Sequence, residues 1–163
     1  MQECLTYFVG HFFSFDKSIQ ISSKDIYITT AKMVLEALER IRFKMEVTYI
    51  PKHRLILVRV TGEIDHHSAE SIRRVTEKEI RRTSAINIAF DFGSVTFMDS
   101  SGIGMIIGRY KTASSLGGSV IVFDANEQVM RLMDMSGLSR LVIISDTMQK
   151  GITAMKKLRG VNV

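Results

Sequence analysis

Cysteine, proline and tryptophan are almost missing from this chain, which has one Cys, one Pro and no Trp in 163 residues. Cys4 alone excludes an intrachain disulfide, and a reducing compartment suits such a chain. No apolar run approaches the ~18 residues that a membrane helix needs. The first fifteen residues, MQECLTYFVGHFFSF, hold no Lys or Arg, so the basic start of a secretory signal is missing. These absences lead us to expect a cytoplasmic protein with no membrane insertion. Charge of one sign is not in large excess either. The net +5 comes from 22 basic against 17 acidic residues, too mild an imbalance to argue for a nucleic acid partner.

The balance of 45% hydrophobic and 24% charged residues is that of a globular chain. At ~150 residues per domain the length makes about one domain. That is long enough to bury roughly two-thirds of the unfolded surface without a metal or disulfide. Residues 1–44 differ from the rest, with five of the nine Phe. A helical pattern starts at Ala31. Ala31, Val34, Leu35, Leu38 and Ile41 share one face, and Lys32, Glu36, Glu39 and Arg40 lie off it. Two readings stand side by side: Met45 is the natural start and 1–44 an upstream extension, or 1–44 supplies an accessory helix that docks on the 45–163 domain or on a second copy.

From Met45 onward, strand and helix signals alternate. Strands are expected at 46–50 and 54–60, separated by Pro51. The second of these, RLILVRV, is apolar on both faces as an inner strand is. A helix over 68–82 places Ala69, Ile72, Thr76 and Ile80 on one side and Arg74, Lys78 and Arg81 on the other. A strand through Ile86, Ile88 and Phe90 ends at Asp91, and a loop with Gly93 leads to a short apolar run at 95–98. A helix over 101–115, a strand at 119–123, a helix at 126–135 stopped by Gly137, a strand at 141–144 and a helix at 147–158 capped by Gly160 complete the order. Such alternation specifies an α/β layer fold, with a mixed, largely parallel sheet of about four to five strands and about four helices.

Two stretches are candidates for chemistry. In Phe97-Met98-Asp99-Ser100-Ser101-Gly102-Ile103-Gly104 an apolar run becomes a helix start. Asp and Ser cap helices by accepting the free amide hydrogens of the first turn, so this stretch serves at least as a capped helix. The same free N–H groups and positive dipole end suit a phosphate, and a serine placed there can carry one. The added charge of nearly −2 would change the surface beside Asp99 while leaving the fold intact. The glycine spacing matches neither a dinucleotide loop nor a phosphate-loop ATPase, and the Gly-x-Ser-x-Gly elbow of a serine hydrolase is incomplete at Ser100. The second stretch, Thr61-Gly62-Glu63-Ile64-Asp65-His66-His67, closes a strand and opens a helix. Asp65 there caps a helix or, with His66 and His67, joins a polar contact surface. No second Cys/His pair completes a metal site. Arg73, Arg74, Lys78, Arg81 and Arg82 alternate with Glu70, Glu77 and Glu79 as a solvated helix face does. Met130, Met133 and Met135 read as core and edge packing.

Taken together, TGEIDHHSAE at 61–70, FMDSSGIGMIIGRYK at 97–111 and MRLMDMSGLSRLVII at 130–144 resemble the bacterial anti-sigma factor antagonists of the STAS family (sulfate transporter and anti-sigma antagonist), most of all those acting on the anti-sigma F factor of sporulation. The resemblance covers 45–163 in matching order. It implies a STAS-type fold and a partner-switching role. The unphosphorylated protein would bind an anti-sigma factor that is also a nucleotide-bound serine kinase, and the sigma factor would go free. Phosphorylation of Ser100 would end the binding, and a serine phosphatase would restore it. Gly62, Glu63, Asp65, His66, Asp99, Ser101 and Gly102 would form the docking surface. The chain would be a substrate rather than an enzyme, with no catalytic residue, cofactor or metal of its own. The alternative is a STAS interaction module of a stress-signalling or transporter complex.

Overall fold

A computed structural model of the chain describes residues 23–158 and residue 160. Cys4 and the aromatic-rich start lie outside the described residues. The chain divides into two compact units, Met1–Leu38 and Glu39–Val163. Helix α1 (Ser23–Arg42) starts eight residues before the periodicity that marks Ala31, and Ala31 and Val34 on the expected face are exposed. The side chains of Leu35, Leu38 and Ile41 are outside what the structure describes.

The second unit is built on five strands in the order β1-β2-β3-β4-β5. β1 (Phe43–Ile50) and β2 (Leu55–Ile64) form an antiparallel hairpin, running in register from Phe43 opposite Gly62 to Ile50 opposite Leu55. Pro51 turns the chain between them through a 3-10 turn, Pro51–His53. β1 therefore begins at Phe43, three residues before its expected start. β3 (Asn87–Met98), β4 (Val120–Phe123) and β5 (Ile143–Ser145) follow in parallel with β2. Helices α2 (His66–Thr83), α3 (Ser100–Ser115), α4 (Glu127–Met135) and α5 (Met148–Leu158) alternate with them.

The alternation of side chains along the inner strands sorts the core into two clusters. Ile56, Val58, Val60, Ile88, Phe90, Phe92, Val120 and Val122 meet Ala69 and Ile72 of α2, Met105 and Ile106 of α3, and Val129 and Met133 of α4. On the other face Leu55, Ala89, Ile121 and Phe123 meet Ile152 and Met155 of α5. Strands covered on both sides need continuous apolar sequence, which is why β4 and the start of β2, Leu55 to Val58, read as hydrophobic runs. Each fully buried side chain of this size contributes about 1.5–3 kcal/mol of transfer free energy.

Four expectations need correction. The loop at Gly93 is strand: β3 runs unbroken past it, and a Cβ at 93 would meet the Asp124 carboxylate, which would have to swing aside. α2 begins at His66, two residues before its expected start, with Asp65 as its cap. The last strand starts at Ile143, after a 3-10 turn at Leu138–Arg140. Met133 is buried as expected, but Met135 is 81% exposed. The basic face of α2 is solvated as read. Arg73, Arg81 and Arg82 pair with Glu70, Glu77 and Glu79 at 2.7, 3.0 and 2.7 Å.

Candidate functional site

Parallel strands that end at one edge deliver their following helices to that edge, and here both helices begin with an aspartate. At the mouth of α2, Asp65 Oδ1 accepts the Ser68 amide at 2.9 Å, and the Asp65 amide donates to Ser68 Oγ at 2.7 Å. This reciprocal pair satisfies two amides that a helix start leaves free. The Ser68 amide holds the Asp65 carboxyl below the usual range, against the opposing effect of its partial burial. At the mouth of α3, Asp99 Oδ1 accepts the Ser101 amide at 2.7 Å, and the Asp99 carbonyl accepts the Gly102 amide at 3.1 Å.

The two mouths are joined through the backbone. Ile64 and Met98 are opposite each other in the β2–β3 ladder, and the Asp99 amide donates to the Ile64 carbonyl at 3.1 Å. Asp65 and His66 therefore leave β2 one and two residues beyond the bond that anchors the Asp99-Ser100 turn. Thirty-odd residues separate the two stretches in sequence, and the sheet brings both to one rim.

Glycine shapes the rim at two positions. Gly62 has φ +95°, and a side chain there would fall on the Arg42 carbonyl oxygen. Gly102 is buried, and its missing Cβ would lie 2.7 Å from Met98 Sδ and 3.0 Å from Ile64 Cγ2. The first turn of α3 thus presses directly on the ends of both strands. Ser100, the first residue of α3, is exposed. Ser101 is half-buried with its amide taken by Asp99, and Glu63 is half-buried opposite Phe97. His66 and His67 are exposed, with ring centroids 5.9 Å apart, edge to face. Among the described residues no group of three or more His, Cys, Asp or Glu side chains could hold a metal ion.

This geometry has an electrostatic consequence for a serine phosphate. The Asp99 carboxylate already occupies the Ser101 amide at the helix mouth. A phosphate on Ser100 would place nearly two further negative charges beside that carboxylate, on an exposed position. The fold would tolerate the group because Ser100 is exposed, and the change would be confined to the surface.

Two side chains escaped the reading of the sequence. Phe97 is 41% exposed beside this rim, and Arg109 is buried between α3 and α2. Apolar strand residues default to the core, so no sequence signal marked Phe97. The signal for Arg109 was its place in the apolar face of α3, between Ile106 and Ala113.

A family model described as the STAS domain matches residues 44–151. The chain belongs to the STAS domain family. Its relatives include the anti-sigma F factor antagonist of Paenibacillus polymyxa, 39% identical over 105 residues, which span 64% of this STAS chain and 90% of that protein. The anti-sigma-B factor antagonist of Bacillus subtilis (strain 168) is 31% identical over 97 residues, spanning 60% and 87%. Among solved structures, the anti-sigma factor antagonist SpoIIAA in its unphosphorylated form is similar with a TM-score of 0.60 and 26% identity, over 74% of this chain and 100% of that one. The STAS fold therefore accounts for the mixed sheet and its helices. The relatives are the anti-sigma factor antagonists that the three sequence stretches resemble. No described helix is long and apolar enough to cross a membrane.

Proposed function

We propose that this STAS protein is an anti-sigma factor antagonist that works by partner switching, with Ser100 as the switch. In the unphosphorylated state the rim built from Gly62, Glu63, Asp65, His66, Asp99, Ser101 and Gly102 docks on an anti-sigma factor, and the sigma factor held there is released. The anti-sigma factor is itself a serine kinase with bound nucleotide. It transfers the terminal phosphoryl group of ATP to Ser100 Oγ, which gives up its proton. The phosphorylated rim no longer fits and the complex separates. A serine phosphatase then hydrolyses the phosphoester and returns the protein to its binding state. The chemistry belongs to the kinase and the phosphatase, and this chain is their substrate.

One observation carries the reading: an exposed serine stands at the first position of α3, on the rim where the two capped helix mouths meet. Likeness to anti-sigma factor antagonists at 39% and 31% identity supports it. The test is intact-mass spectrometry after incubation with ATP and the anti-sigma factor encoded in the same genome, beside Ser100→Ala. One phosphate on the parental protein and none on the variant is expected. A phosphate on both would move the acceptor away from Ser100, and none on either would remove the switch.

A further inference from the structure

β3 carries an aromatic side chain that the core does not use. Phe90 and Phe92 on the same strand are fully buried, and Val95 and Met98 are 4% exposed, yet Phe97 between them is 41% exposed. The cause lies in the ladder. Gly62 pairs with Val95, but the next residue, Glu63, pairs with Phe97, so Thr96 is an extra residue on β3. Such an irregularity re-aims side chains locally. Here it leaves two consecutive residues, Thr96 and Phe97, outside the core. Phe97 therefore stands at the rim, opposite Glu63 on β2 and three residues before Ser100.

We propose that Phe97 is the apolar anchor of the docking face, seated in an apolar pocket of the anti-sigma factor. The inference rests on the partner-switching reading above and names the part of the rim that supplies affinity. A single aromatic ring with polar neighbours is the usual make-up of the centre of a switchable contact, where a few aromatic side chains carry most of the binding energy. The occupant is the anti-sigma factor because Phe97 is continuous with the proposed docking rim, opposite Glu63 and three residues before Ser100. The arrangement also explains release. With the ring seated, Ser100 lies at the edge of a surface from which water is excluded. A phosphate there must be stripped of water for the ring to stay in place, so phosphorylation unseats the ring even from a partner that carries no acidic group.

The test is a binding titration of the full chain against the nucleotide-bound anti-sigma factor, using Phe97→Ala, Phe97→Leu, Ser100→Asp and Leu116→Ala. Circular dichroism and thermal melts check folding. The proposal expects at least a tenfold loss of affinity for Phe97→Ala, substantial recovery in Phe97→Leu and no change in Leu116→Ala. Should Phe97→Ala fail to fold, Phe97→Gln against Phe97→Leu gives the same comparison. Affinity for the alanine variant within threefold of parental, with Ser100→Asp impaired, overturns the anchor and leaves the switch standing. No binding by the parental protein, or full binding by Ser100→Asp, overturns the switch and the anchor with it. A parental dimer that Phe97→Ala converts to monomer overturns the proposal in favour of self-association.

Discussion

Arg109 and Glu77 hold α3 against α2, and the pair predicts an asymmetry between two substitutions. The Arg109 side chain is 8% exposed and that of Glu77 is 38% exposed, with Nη1 2.8 Å from Oε2. Arg109 Nη1 also lies 3.4 Å from the Arg73 carbonyl and 3.5 Å from Thr76 Oγ1, while its Nε has no hydrogen-bond partner. Glu77→Gln leaves the guanidinium buried without its counter-charge. Breaking a fully buried pair costs about 3–5 kcal/mol. Water reaches Glu77, and screening brings the expected loss down to about 1–3 kcal/mol. Arg109→Met removes the buried charge together with its unpartnered Nε and keeps most of the aliphatic length. Its expected cost is under about 1 kcal/mol. Urea denaturation of both variants measures the difference. In thermal melts, 1 kcal/mol corresponds to roughly 2–8 °C in Tm for domains of this size range. The two changes also differ with pH. The hydrogen bond from Arg109, then that from Arg81, holds Glu77 below its ordinary value of 4.5. A carboxyl with a lowered folded pKa stabilises fully above its unfolded pKa, and that contribution is lost as pH falls through the folded value. The gap between parental and Glu77→Gln proteins should therefore narrow below about pH 4.5. An Arg109→Met variant less stable than Glu77→Gln would refute the reasoning.

Two further outcomes follow from the helix mouths. Asp65→Ala removes the carboxylate half of the α2 cap, keeps the backbone amide bond to Ser68 Oγ, and should cost about 1 kcal/mol near neutral pH. Because the Ser68 amide lowers the Asp65 pKa, that cost should shrink in acid, as a melt series from pH 7 downward would record. Gly102→Ala drives a methyl group against Met98 and Ile64 and should destabilise by about 1–3 kcal/mol in urea titrations.

The parts of the fold legible in the sequence are those where one period dominates. Ile72, Thr76 and Ile80 recur at helical spacing and are buried. VIVF at 120–123 is apolar throughout because helices cover both faces of β4. Motif order also placed 61–67 and 97–102 at successive strand-to-helix junctions, which the parallel sheet brings together. What stayed hidden depends on contacts between elements distant in sequence. Gly93 looked like a turn, but the strand continues through it, held by pairing with β2 that the sequence of β3 alone does not show. The exposure of Phe97 was hidden in the apolar run 95–98 because it depends on a β2–β3 ladder that slips by a residue between Gly62 and Glu63. Arg109 shows its role only when α2 is laid beside it. The first strand reached back past Met45 because Phe43 and Lys44 pair with Gly62 and Thr61, a match that neither stretch shows alone.

The bond from the Asp99 amide to the Ile64 carbonyl bears on how the proposed kinase would have to read Ser100. Many phosphorylation sites are short extended segments, and an enzyme recognises them as loose peptide. Ser100 is instead fixed in helical geometry, one residue past a sheet bond, with Gly102 wedged against two strands. A synthetic peptide copying 95–104 would keep every letter of the motif and lose this shape. If Ser100 is the acceptor proposed above, its enzyme would have to recognise a folded edge, its selectivity would reside in the tertiary structure of its substrate, and unfolded or newly made chains would escape modification until the sheet has formed.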